Sequence, residues 1–191
     1  KLGDVTAPKW HHRLLCAWCA SNQSQPAHEV TRSDILRACS EHEPSVDLVE
    51  VCGGALSSVL GGSMDYAEVL FPRGSMDLVQ PVYESAPHGR FYNSCVVGTI
   101  SAIVAQLRVG ERLSVVEIGA GTGGTTASVL PALQHACSHY MFTDVSEVFL
   151  SRARRTFAQH DRFMRYELLN IDADTRLQGF ASSEYDVLIA T

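Results

Sequence analysis

A glycine-rich segment between an apolar stretch and a helix start constrains this chain more than any other feature. It reads Ser114-Val-Val-Glu-Ile-Gly-Ala-Gly-Thr-Gly-Gly-Thr-Thr126. Glycine allows a sharp turn, and because it lacks a Cβ a ligand can come close to the main chain. The segment therefore predicts a strand, a loop that binds a nucleotide-type cofactor, and a helix. The alternative is a tight strand-to-helix turn without a ligand.

Glu117, two positions before the first loop glycine, separates the possible cofactors. Gly119, Gly121 and Gly124 also satisfy the dinucleotide pattern G-x-G-x-x-G, so spacing alone leaves NAD open. A carboxylate at the carboxyl end of the strand would face the pocket. There it would repel a pyrophosphate but attract the cationic sulfonium and α-amino group of S-adenosylmethionine. Glu117 therefore favours S-adenosylmethionine over NAD.

A second carboxylate, Asp144, closes the next predicted strand at 139–143, about 20 residues past the loop. At that position it can accept hydrogen bonds from both ribose hydroxyls. Its alternative role is an acid favoured by the amino terminus of a helix. A helix opening at Ser146 and strands at 164–169 and 185–190 follow. The order after residue 113 is thus strand, helix, strand, helix, strand, linker, strand.

Segments on both sides of the loop carry a family pattern. They are 115–127 with Leu130-Pro131, 140–146, Asn170-Ile171 with 178–180, 185–187 and, upstream, 70–75, 82–87 and Tyr92-Asn93. Together they resemble the C-methyltransferase domain embedded in polyketide synthases, over roughly residues 50 to 191. The threonine-rich continuation of the loop and the Phe-Thr-Asp block make the resemblance specific.

The resemblance implies an α/β fold with the Rossmann-like core of class I methyltransferases. Only the first four core strands are expected here, and a helical lid precedes them. The expected domains are a helical amino-terminal or lid region at 1–88 and the first half of the cofactor core at 89–191. Strand four would then be left with a bare edge.

The resemblance also assigns site residues. The methionine end of S-adenosylmethionine is expected at the loop, the ribose at Asp144 and the adenine beside Asn170. The family usually has Asp at the position of Asn170, which we expect to weaken binding by about 1 kcal/mol. Tyr83 matches a tyrosine of the substrate pocket, with a surface packing role as its alternative. The full cofactor-binding set is Glu117, Gly119, Ala120, Gly121, Thr122, Gly123, Asp144, Val145, Asn170 and Ile171.

The implied reaction is methylation of the α-carbon of a β-ketoacyl chain carried by an acyl carrier protein, within a multidomain synthase. The family's catalytic histidine and glutamate are expected beyond the position matching Thr191, so we expect no methyl transfer by these 191 residues alone. Neighbouring synthase domains and the carrier protein are the expected partners. An O-methyltransferase, a NAD-dependent oxidoreductase and a non-catalytic methyltransferase-like scaffold remain as alternatives.

Composition limits the other function classes. A formal charge of −6 argues against nucleic acid, whose phosphates would be repelled. No run approaches the roughly 18 apolar residues of a membrane span, and no signal-peptide pattern opens the chain. The six cysteines are therefore expected as free thiols in a cytoplasmic protein. Cys16 and Cys19 fall on a predicted packed helix with Leu14 and Trp18, and we expect no metal site.

The amino-terminal third is predicted to be helical. Ser33 is the expected cap of one helix, and Ser45 opens another that breaks at Gly53-Gly54 and ends at Gly61-Gly62. A further helix at 91–107 carries an apolar stripe for packing on the sheet. The boundary between the two regions is expected near 81–89.

Overall fold

The computed structural model describes residues 10–21, 30–180 and 184–190. The chain divides into two compact units, one ending at Pro87 and the other beginning at His88. In the described ranges no helix is both long and apolar enough to cross a membrane.

The first unit is helical, as the sequence predicts. Its longer helix, α3, opens at Glu43 and has Pro44 in its first turn, where a missing N–H costs nothing. The described helices are α1 (Trp10–Ser21), α2 (Arg32–Ala38), α3 (Glu43–Leu60), α4 (Tyr66–Leu70) and α5 (Gln80–Glu84), with 3₁₀ turns at Ser40–His42 and Pro72–Gly74.

Three details of this unit differ from the sequence prediction. Thr31, not Ser33, caps α2, because its hydroxyl accepts from the Asp34 N–H and the Asp34 carboxylate accepts from the Thr31 N–H. α3 starts before Ser45 and runs unbroken through Gly53-Gly54 to its predicted end at Gly61. Leu14 and Trp18 of α1, predicted on a packed face, are more than half exposed.

The second unit is an α/β layer built on a parallel sheet. Its helices are α6 (Pro87–Val104), α7 (Gly124–Leu133) and α8 (Glu147–Thr156). Its strands are β1 (Leu113–Ile118), β2 (Cys137–Asp144), β3 (Met164–Leu168) and β4 (Val187–Ala190), and 3₁₀ turns lie at Ala158–His160 and Thr175–Gln178. The predicted order of strands and helices is confirmed.

The strands lie in the order β3-β2-β1-β4, and all neighbours are parallel. The chain moves outward from β1 through β2 to β3 and then returns to the other side of β1. In an open α/β sheet such a change of direction leaves a crevice at the carboxyl ends of the strands, where ligands bind. That edge carries the glycine loop after β1 and Asp144 at the end of β2.

The core forms between one face of the sheet and the helices. Val115 and Glu117 of β1 stand in register with Tyr140 and Phe142 of β2, and all four are fully buried. The stripe predicted on α6 packs against this cluster, although the helix runs from Pro87 to Val104 rather than over 91–107. The packed residues of that region are Val96, Val97, Ile100, Ile103, Val104 and Leu107.

Candidate functional site: the loop after β1

The loop after β1 needs glycine for two different reasons. Gly119, Gly121 and Gly123 all have positive φ, at +66°, +53° and +83°. A Cβ added to Gly119 would meet no other atom within 4 Å, so that side of the loop faces open space. A Cβ on Gly123 would lie 2.9 Å from Cε2 of the Phe157 ring. Gly119 therefore borders the crevice, whereas Gly123 is required by the packing of the core.

Asp144 ties the glycine loop to the end of β2. The side chain is 6% exposed. Its Oδ2 accepts the Gly121 N–H at 2.9 Å, and its Oδ1 accepts the Ser146 N–H at 2.9 Å. A carboxylate has about four acceptor positions, so each oxygen keeps a lone pair for a further donor. The side chain predicted to bind ribose thus also fixes the loop.

A second set of hydrogen bonds holds the loop at Thr143. The Thr143 hydroxyl donates to the Glu117 carbonyl at 2.6 Å, and the Ala120 N–H donates to the Thr143 carbonyl at 2.9 Å. The Gly123 N–H returns to the Ala120 carbonyl at 2.9 Å. Together these bonds give the loop one defined shape, so a ligand there meets a preorganised main chain.

Glu117 lies inside the fold, below the loop. Its side chain has no exposed surface. Its Oε2 accepts the Tyr140 hydroxyl at 2.6 Å and also the Thr126 hydroxyl from the first turn of α7. Its Oε1 is buried and has no hydrogen-bond partner among the described residues. Unpartnered buried carboxylate oxygens are costly, so Oε1 is a candidate acceptor for a further donor such as a ligand or a bound water.

The surroundings of Glu117 change its acidity. Burial raises the pKa of Glu117 to about 7, although the two hydroxyl donors act in the opposite direction. Burial and the neighbouring Glu117 also raise the pKa of Tyr140 well above its ordinary value. The sequence prediction that Glu117 faces the pocket is wrong for this structure, because the Tyr140 and Thr126 hydroxyls hold the side chain in the interior, where it has no exposed surface.

The residues predicted at the adenine lie after β3. The Leu169 N–H donates to the Asp144 carbonyl at 3.0 Å, which places this segment beside the ribose candidate. Asn170 is held through its main chain, because Gln178 accepts from its N–H and donates to its carbonyl, both at 2.9 Å. Ile171 is 61% exposed and Val145 is 69% exposed. Two apolar side chains thus flank this end of the sheet.

The sequence analysis did not predict several residues that hold the site in place. Thr126 and Tyr140 hold the Glu117 carboxyl, and Thr143 holds the loop. Asn93 of α6 accepts the Thr125 hydroxyl at 2.8 Å and so joins that helix to the start of α7. The remaining predicted residues, Ala120 and Thr122, lie within the loop. Tyr83 is an exposed residue of α5 in the first unit, and its role stays a prediction.

Comparisons with known proteins show which family this chain is similar to. Residues 116–191 match the family model described as a methyltransferase domain. The polyketide synthase ThaQ of Burkholderia thailandensis is 37% identical over 83% of this chain, which spans 8% of that protein. The polyketide synthase PksR of Bacillus subtilis is 33% identical over 76% of this chain, which spans 6% of that protein.

Solved structures give the same result. The CurJ carbon methyltransferase matches 95% of this chain with a TM-score of 0.80 and 32% identity. The DszA carbon methyltransferase matches 83% of it with a TM-score of 0.71 and 34% identity. This chain covers 52% and 42% of those two structures, so it spans about half of each.

Fold, loop and comparisons together define a Rossmann-like methyltransferase domain over residues 116–191. Within that class, the chain is similar to the carbon methyltransferase domains of polyketide synthases, as the resemblance in its sequence predicts.

Proposed function

We propose that this chain binds S-adenosylmethionine at the loop after β1 and contributes the cofactor-binding part of a polyketide synthase C-methyltransferase. One observation carries the proposal: a loop with an open face at Gly119 lies above a fully buried Glu117 whose Oε1 has no partner. A cationic ligand suits such an acid, whereas the pyrophosphate of a dinucleotide would be repelled by it. The residues present therefore fit S-adenosylmethionine.

Each part of the cofactor has candidate residues. Glu117 and the loop from Gly119 to Gly123 would hold the methionine end, and Asp144 would accept from the ribose hydroxyls through its remaining lone pairs. Asn170 would border the adenine, with the exposed apolar side chains of Ile171 and Val145 beside it. S-adenosylmethionine supplies an electrophilic methyl group when bound.

The proposed acceptor is the α-carbon of a β-ketoacyl chain on an acyl carrier protein. Its support is similarity to proteins named as carbon methyltransferases and as polyketide synthases. Neighbouring synthase domains are the proposed partners, in the cytoplasm, and Tyr83 is the proposed contact to the substrate. Cys39, Cys52, Cys95 and Cys137 are free thiols, in keeping with that compartment.

Calorimetric titration with S-adenosylmethionine, S-adenosylhomocysteine and NAD tests the cofactor. We expect saturable binding of the first two and none of NAD, because the Glu117 carboxylate beneath the loop would repel a pyrophosphate bound there. Tight NAD binding without S-adenosylmethionine binding would reverse the assignment.

Replacing Asp144 with asparagine is expected to weaken S-adenosylmethionine binding about 100-fold. The amide turns an NH₂ group toward a backbone N–H of Gly121 or Ser146, so the loop loses a charge-assisted bond and the ribose loses an acceptor. Such losses amount to about 3 kcal/mol. Calorimetry at one fixed pH provides the measurement.

The matched control is Asp172→Asn. Asp172 is exposed and joins the nearby turn through its N–H, which donates to Asn170, rather than through its carboxylate. The affinity of the Asp172→Asn variant for S-adenosylmethionine should stay within about twofold of that of the parent. Equal losses in the two variants would show that Asp144 has no special part in binding.

A further inference from the structure

We propose that Glu117 senses the charge on the cofactor sulfur, giving up a proton when the cationic methyl donor binds and regaining it when the neutral demethylated product remains. This inference rests on the proposed function and deepens it. It assigns to the site a preference for S-adenosylmethionine over S-adenosylhomocysteine that rises with pH. Tyr140 and Thr126 are then positioning residues that set where the change occurs.

The first support is that the Glu117 carboxyl is sealed from solvent and unevenly bonded. Both hydroxyl donors, from Tyr140 and Thr126, reach Oε2, and none reaches Oε1. A carboxylate in this position has one oxygen stabilised and one oxygen without a donor, whereas a carboxylic acid places its proton on the bare oxygen. The two protonation states are therefore close in free energy, as the raised pKa of about 7 indicates.

The second support is the absence of a competing charge. Among the described residues Glu117 forms no ion pair. α7 and β4 carry no titratable side chain. The titratable groups of β2 are Cys137, His139, Tyr140 and Asp144, and those of α6 are the exposed His88, Arg90, Tyr92 and Cys95. Asp144 is already bonded by two backbone N–H groups.

The third support is the position of the carboxyl relative to the loop. Glu117 lies near the end of β1 and its partner Thr126 lies in the first turn of α7, so the loop that joins the two elements passes over the carboxyl. A positive charge held by the loop acts across a dry interior, where the field is stronger than in water. An opposite charge within about 4–6 Å lowers the pKa of an acid by about one unit or more. Glu117 then releases its proton to solvent.

The proton balance closes over one reaction cycle. Glu117 is a carboxylic acid in part of the free molecules near neutral pH, and a carboxylate opposite the sulfonium. Once the methyl group has left, the sulfur carries no charge, and Glu117 takes one proton back from solvent. No oxidant or further reactant is needed.

The test compares the affinities of the full 191-residue chain for S-adenosylmethionine and S-adenosylhomocysteine between pH 5.5 and 7.5. With a lowering of one pKa unit, the ratio of the two affinities should rise about sixfold over this range. Calorimetry at pH 6.5 in two buffers of different ionisation enthalpy should count about half a proton released with S-adenosylmethionine. An unchanged ratio, or no proton release, would overturn the inference.

Two variants separate Glu117 from the cofactor's own titrating groups. Glu117→Gln should abolish the increase of the affinity ratio with pH. An increase that persists in this variant would overturn the inference. Tyr140→Phe removes one donor to the carboxylate, so the rise should move to higher pH by about one unit. Tyr166→Phe, a buried tyrosine whose hydroxyl contacts Met164 Sδ, is the matched control and should leave the rise in place.

A measurement on the free chain, without cofactor, tests the inference even if Glu117→Gln fails to fold. The carboxyl carbon of Glu117 in the free chain, followed by NMR, should titrate near pH 7, and at higher pH in Tyr140→Phe. A midpoint near 4.5, the ordinary value, would overturn the inference. If neither ligand binds at any pH, the proposed function fails, whereas pH-independent binding of both ligands defeats the inference alone.

Discussion

Replacing Gly123 with alanine is expected to lower the free energy of unfolding by about 3 kcal/mol. The new Cβ would lie 2.9 Å from Phe157 Cε2 and 3.0 Å from its Cζ. The ring is buried and packs against Phe142, so it cannot move aside freely. Overpacking of this kind costs 1–3 kcal/mol, and a left-handed conformation at φ +83° adds about 1 kcal/mol. Urea denaturation monitored by circular dichroism measures the loss.

Gly119→Ala is the matched control because it shares the positive φ but not the contact. Its Cβ would project into open space, so only the conformational cost of about 1 kcal/mol is expected. The same methyl would stand in the proposed cofactor crevice, and binding should weaken although the fold survives. Equal destabilisation by the two substitutions would contradict the division between a packing glycine and a ligand-facing glycine.

The architecture of the second unit could be predicted because its signals are local. Apolar strands, a glycine loop and an N-cap at Ser146 are each visible within a few residues. The long helix α3 shows the limit of local signals: glycine disfavours a helix by about 1 kcal/mol, yet α3 continues through Gly53 and Gly54. Neither glycine has a positive φ, so the rest of the helix outweighs their weak propensity.

The partners of Glu117 could not be predicted, because they depend on strand register. Tyr140 reaches Glu117 only because β1 pairs with β2 so that Val115 stands opposite Tyr140 and Glu117 opposite Phe142. A shift by one residue would turn Tyr140 to the other face of the sheet. The hydrophobic pattern of β2 does not fix this register by itself. Sequence reasoning therefore located the acid but not the hydroxyls that bond it.

The second role of Asp144, in holding the loop, also depends on how β1 and β2 pair and so could not be predicted from the sequence. Its position after β2 indicates a ribose ligand, and the resemblance supports that assignment. Its bonds to Gly121 and Ser146 appear only when the two strand ends lie side by side. One carboxylate thus shapes the loop and remains available to a ligand, so changes at Asp144 are expected to affect order in the loop as well as affinity.

The free energy of unfolding should fall as pH rises because of the buried Glu117 carboxyl. Glu117→Gln should remove this part of the pH dependence. The folded-state pKa of about 7 lies above the ordinary 4.5 of the unfolded chain, so the folded state binds more protons between these values. The stabilisation is complete below about pH 4.5 and is lost as pH rises through about 7. The parent should therefore lose about 2.5 kcal/mol relative to Glu117→Gln between pH 5 and 8.

Urea denaturation of both proteins at pH 5, 6, 7 and 8 gives this difference, and the contributions of all other acids cancel in it. Glu167→Gln on β3 is the control, since Glu167 is exposed and its removal should leave a constant offset from the parent. Curves that run parallel for the parent and Glu117→Gln would mean that Glu117 has the same pKa in the folded and unfolded states, which would contradict the prediction. An ordinary pKa at this buried site would require burial to be offset, and among the described residues the Tyr140 and Thr126 hydroxyls are the groups that oppose it, with no ion pair to Glu117.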